Sequence, residues 1–338
     1  MTAQRKKIEV TDETGDFETT KSKGRVRLLV EALVVCAIIA VVYFSDRDVS
    51  GPPRQSGLPV AGSPVAATPI PLNGQAEPVV GTGGEDPMIA IPGGAFRMGC
   101  VEGDAQCDAH ERPAHDVSLP AFELDLHEVS VAAYRECVRA GVCAIPSINA
   151  EKEAERYYNW GKDDRDAHPV NGVSWYEAES YCRWKGKRLP TEAEFEYALR
   201  AGRATKWPWG ETDDAPPEGF GNYADTSAKQ VFTSWEIYET YTDGHVGTAP
   251  VCSFVRNAFG LCDVSGNIYE WTADWYDADA YSKSTMEDPR GALSGGERVI
   301  RGGSWDAFRT GQRSSYRFRT TPVARSNSYG FRCARSAS

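Results

Sequence analysis

Two carboxylates, Asp263 and Glu270, bracket a glycine turn in the stretch DVSGNIYE. A tight loop of that kind can converge both acids on one cation while backbone carbonyls fill the remaining positions. Hard oxygen donors without sulfur or imidazole suit calcium. The alternative is that such acids cap turns or pair with arginines. A second constellation, CDAHERPAHDV, sets His110 and His115 among acids and could in principle ligate iron. An iron facial triad needs two histidines and a carboxylate on one rigid surface, whereas RPAHDVSLPAF reads as the start of a strand, which gives His115 a structural role. Ser304, in RGGSW, has no histidine or lysine close in sequence to serve as a base and does not sit in a nucleophile-elbow pattern. It reads as a loop hydrogen-bonder. GTGGE at 81–85 lacks a phosphate-loop lysine and is discounted as a phosphate site.

Cysteine usage points to cross-links. Cys36 lies in an apolar run; the other eight, at 100, 107, 137, 143, 182, 252, 262 and 333, fall in the second part of the chain. An even number in an exported domain favours disulfides. Proximity suggests Cys100 with Cys107, Cys137 with Cys143 and Cys252 with Cys262, which would leave Cys182 with Cys333. No CxxC pair supports zinc.

The elements that position these residues can be read from their caps. Ser174 with Glu177, and Thr191 with Glu194, form capping boxes, and the two stretches close on Gly186 and Gly202. A third helix begins at Ser130. The remainder is short apolar runs broken by Gly, Pro, Asn and Asp, which predicts an irregular, loop-rich α+β domain held by cross-links or metal. With 48 acidic against 37 basic side chains and a net charge of -11, the chain is not suited to nucleic acid.

Four segments are expected: a polar cytoplasmic segment at 1–27, a transmembrane anchor at 28–44, a Pro/Gly-rich tether at 45–85 and a folded domain at 86–338. The apolar run LLVEALVVCAIIAVVYF, preceded by Lys21, Lys23, Arg25 and Arg27, carries the anchor reading. It predicts a single-pass membrane protein with its N-terminus in the cytoplasm and its folded domain outside, periplasmic or extracellular.

Five motifs in order, IPGGAFRMG (91–99), the long stretch at 168–202 beginning HPVNGVSWYEAE, GNIYEWTADW (266–275), RGGSW (301–305) and GFRCA (330–334), resemble the formylglycine-generating enzyme, or sulfatase-modifying factor, family. The resemblance implies that family's irregular fold, similar to the C-type lectin architecture, with structural calcium. It implies one calcium site from the side chains of Asp263 and Glu270 with the carbonyls of Gly266 and Ile268. A second would use the side chains of Asn222 and Asp243 with the carbonyls of Tyr223 and His245. In the family's enzymes two cysteines after the RGGS motif bind copper(I) and activate oxygen; the corresponding positions here hold Ala307 and Gln312. Copper(I) prefers thiolates, so a copper site and formylglycine chemistry are not expected. Ser304, Trp305, Arg309 and Arg317 are the candidate ligand groups of the inherited groove. The function expected is a peptide-, protein- or ligand-binding module with an extracytoplasmic partner. An oxidoreductase using other metal or oxygen chemistry and a structural envelope module are the alternatives.

Overall fold

Each capping signal starts a helix. Ser130 Oγ accepts the Ala133 N–H and opens α1, Val131–Arg139. Ser174 and Glu177 close a reciprocal box at the head of α2, Trp175–Trp184. Thr191 and Glu194 do the same for α3, Glu192–Arg200. The left-handed residue that ends α3 is Ala201, at φ 42°, one position before the glycine expected there. Two one-turn helices follow, α4 at Thr226–Lys229 and α5 at Ala280–Lys283.

The computed structural model describes residues 87–147, 156–213 and 215–337, all within one compact unit that spans 69–338. Nine short strands form three sheets: β1 Met88–Ile91, β2 Gly94–Met98, β3 His115–Leu119, β4 Phe122–Asp125, β5 Tyr269–Trp275, β6 Arg298–Arg301, β7 Phe318–Thr320, β8 Tyr329–Gly330 and β9 Ala334–Ser336. They are ordered β1-β4-β9, β2-β3 and β7-β6-β5-β8. Among these strands β5 and β8 pair in parallel and the other pairs are antiparallel. As read from the sequence, His115 opens a strand.

All four expected disulfides are present. Cys182–Cys333 ties α2 to the segment entering β9 and is enclosed by Tyr134, Tyr181, Trp271 and Phe331. Burying so many aromatic rings around a covalent tie compensates for the scarcity of regular structure. A second core packs Phe195 and Leu199 of α3 against Val117, Phe122 and Leu124. A third is almost wholly aromatic: Trp207, Trp209, Tyr223, Tyr238 and Tyr241.

One expectation is corrected. Among the described residues no helix is long and apolar enough to cross a membrane. The run at 28–44 lies outside the described residues, as do 1–27, the tether at 45–85 and GTGGE, so the membrane-anchored placement of the domain is withdrawn.

Candidate functional site

Two buried guanidinium groups pin the loop that follows β6. Before the loop, Arg301 donates through Nη2 to Glu196 Oε2 and lies 3.7 Å from Glu192, both acids on α3. Beyond it, Arg313 is bidentate to Glu111 at 2.6 Å through each nitrogen. Charges taken out of water persist only when paired and hydrogen-bonded, so these pairs hold both ends of residues 302–312 in register.

Within the loop, Gly303 is required by its surroundings: its φ is 77°, and a Cβ there would lie 1.9 Å from Gln312 Oε1. The Gln312 amide fills that space, 1 % exposed, and donates through Nε2 to the Ser304 carbonyl at 2.8 Å. Ala307 is buried in the same turn. The donor set at the two positions is therefore a methyl and an amide, and all eight cysteines of the described residues are in disulfides. These residues do not fit copper(I), which needs soft ligands.

The candidate groove residues separate. Ser304 is buried and its Oγ donates to Asp306 Oδ1 at 2.6 Å, a loop hydrogen bond as expected. Trp305 is the hub of an aromatic platform, with ring centroids 5.1 Å from Tyr157, 5.6 Å from Trp235 and 6.0 Å from Phe232. Phe232 and Trp235 stack at 3.9 Å and 6° while only half-buried. Phe308, on the loop itself, is 72 % exposed. Arg309 rests over Trp207 and Tyr238, at 5.8 and 5.5 Å from the ring centroids.

Arg317 does not join them. Its guanidinium is buried and bidentate to Glu192 at 2.6 and 2.8 Å, with a third bond to the His110 carbonyl. The carboxylates buried along α3 need cations, and that need takes Arg317 out of the groove. Asp108, His110 and Glu111 lie close enough together to hold a metal, but both Glu111 oxygens are engaged by Arg313. His115 is not among them, so the two-histidine iron arrangement does not form.

The expected calcium residues fall into two groups, the first buried and the second only half-buried at Asp243 and His245. In the first, Asp263 Oδ1 is buried with no partner, and no described donor reaches the carbonyls of Gly266 or Ile268. Glu270, however, gives both oxygens to Arg332 at 2.7 Å. Glu128, absent from the sequence reading, stands in that pocket with Oε2 unpartnered while Oε1 accepts from Asn267 at 3.0 Å. Burial pushes the carboxyls of Glu128, Asp263 and Glu270 up, and neighbouring acids add to it. One guanidinium faces three acids, a deficit that a hard divalent cation would balance.

In the second pocket Asn222 Oδ1 is buried and unpartnered, and no described donor reaches the carbonyls of Tyr223 or His245. Asp243 accepts from the backbone N–H groups of Tyr223 and His245 at 2.9 and 2.8 Å. Its carboxyl is pushed up to about 7, chiefly by burial. Orphaned buried oxygens are uncommon in folded proteins, and both donor sets fit calcium.

A family profile described as "Sulfatase-modifying factor enzyme 1-like domain" matches residues 77–337. The chain belongs to this family. A formylglycine-generating enzyme of Streptomyces coelicolor is 34% identical over 291 residues, covering 74% of this chain and 89% of that protein. The serine/threonine-protein kinase Pkn1 of Chlamydia trachomatis is 36% identical over 271 residues, but the match spans 73% of this chain and only 38% of Pkn1. Among solved structures, PvdO from Pseudomonas aeruginosa superposes with a TM-score of 0.60 at 26% identity, over 74% of this chain and 94% of that one. The mixed, loop-rich architecture described above is thus the family's.

Proposed function

We propose that this member of the sulfatase-modifying factor family does not generate formylglycine and instead binds a peptide segment on the aromatic platform around Trp305. The observation that carries this reading is the pairing of two features on one loop. The Gln312 amide fills the turn where a thiolate pair would be needed, while half-exposed rings of Phe232 and Trp235 stand beside Trp305 and the same loop carries the exposed Phe308. Rigid aromatic surfaces supply large contact area at low entropic cost and are enriched at binding hot spots. Screening a displayed peptide library against the protein is expected to return binders whose affinity falls about tenfold or more in Trp235→Ala. Binders insensitive to Trp235→Ala and Phe308→Ala, or none at all, would contradict the reading.

The two oxygen pockets are read here as structural calcium sites. A ligand that binds only the folded state adds RT ln(1 + [L]/Kd), about 2.7 kcal/mol at a hundredfold excess over Kd. Chelation with EGTA should therefore lower the melting temperature by several degrees, and added calcium should restore it. Asp263→Asn is the cleaner probe than Glu270→Gln, because Glu270 also holds Arg332. Asp263→Asn should reduce the calcium response, and a melting temperature indifferent to EGTA would remove both sites from the account.

A further inference from the structure

A cavity of about 420 Å³ opens beside the head of α3, walled by α5, by the end of β5 and by the chain at 284–294. That size suits a small organic ligand. No residue of the 302–312 loop lines it, so it is a separate feature from the aromatic platform.

Asp274, on β5, lines this cavity and is only 4 % exposed. Its Oδ2 accepts the N–H of Glu192, the first residue of α3, at 2.7 Å, and its Oδ1 accepts a hydrogen bond from none of the described residues. Gly291 closes over it: a Cβ at that position would lie 2.5 Å from Oδ1. Among the described residues no basic side chain forms an ion pair with Asp274. Lys283 in the wall is held by Asp277 at 2.9 Å, Arg290 by Asp288 at 2.5 Å, and Arg317 behind the wall by Glu192.

His115 lines the same cavity. Its Nδ1 lies 3.1 Å from the Pro113 carbonyl, which can only accept, so Nδ1 donates there and the ring nitrogen left unengaged is Nε2. That nitrogen has no partner. The interior therefore presents an unmatched carboxylate oxygen, while Lys283 and Arg290 of its wall are held by acids. Burial, followed by the charge of Glu192, pushes the Asp274 carboxyl up to about 7, the mark of a negative charge without a counter-ion. Met98, Ala292 and Leu293 supply apolar wall.

We propose that this cavity binds a small organic amine, its ammonium group donating to Asp274 Oδ1 and its alkyl part lying against Met98, Ala292 and Leu293. The chemistry is that of a charge-assisted hydrogen bond to a carboxylate only 4 % exposed, roughly twice as strong as a neutral one. It is independent of what the Trp305 platform binds.

The test is titration calorimetry of the full chain with n-butylamine, and with 1-butanol as its uncharged isostere. Asp274→Asn keeps an oxygen for the Glu192 N–H and removes the charge. Ala292→Leu narrows the cavity without altering Asp274. Saturable butylamine binding is expected, at least about tenfold weaker for 1-butanol and for each variant. Butylamine binding unchanged in both variants, or no saturable binding to the wild-type protein, overturns the proposal.

Discussion

A protein carrying both Ala307→Cys and Gln312→Cys is expected to bind one copper(I) ion that the wild-type protein does not hold. Both positions are buried in the turn after Ser304, and the loop is fixed at both ends by Arg301 and Arg313. Removing the Gln312 amide vacates the space against Gly303 that it now fills. Two thiolates then replace a methyl and an amide, turning a site with no soft donor into one with two. Anaerobic competition against a chromophoric copper(I) chelator should show a gain of roughly a thousandfold, about 4 kcal/mol. Either single variant should gain far less. If the wild-type protein competes as well as the double variant, the softness argument fails.

Loss of the Cys182–Cys333 disulfide is expected to have the largest effect on stability. It closes a loop with a sequence separation of 151, against 6 for Cys137–Cys143. In the chain-entropy treatment these correspond to about 5 and about 2 kcal/mol. The longer tie also lies where Tyr181, Trp271 and Phe331 meet, so alanine at both ends leaves a void in addition. Urea unfolding of Cys182→Ala/Cys333→Ala should show a much lower midpoint than Cys137→Ala/Cys143→Ala. Equal midpoints would mean that the unfolded chain gains little freedom from losing the long cross-link.

Local signals were legible in the sequence and long-range partners were not. The hydroxyl and carboxylate that cap α2 and α3 are three residues apart, so Ser174, Glu177, Thr191 and Glu194 could be assigned to their roles directly. Three disulfides are close in sequence, and the fourth follows from them. Sequence alone leaves Arg317 in the groove, because its counter-ion Glu192 lies 125 positions away and nothing near Arg317 points to it. Glu128 gives no local signal for the same reason: its hydrogen-bond partner, Asn267, is 139 positions along the chain. The aromatic platform draws Tyr157, Phe232 and Trp235 from loops without periodicity, where a ring bound for a core and one bound for a surface look alike. The RGGSW segment points to the 302–312 loop, which carries both Trp305 and Arg309. What that segment could not convey is that Gln312 would turn inward and fill the turn.

The most direct test of the central claim is to incubate the purified protein with copper(I), oxygen and a cysteine-containing sulfatase-type peptide, and to read the peptide by mass spectrometry. The account predicts that the cysteine emerges without conversion to formylglycine, while a formylglycine-generating enzyme run alongside converts it. An aldehyde on the peptide treated with this protein would contradict the account.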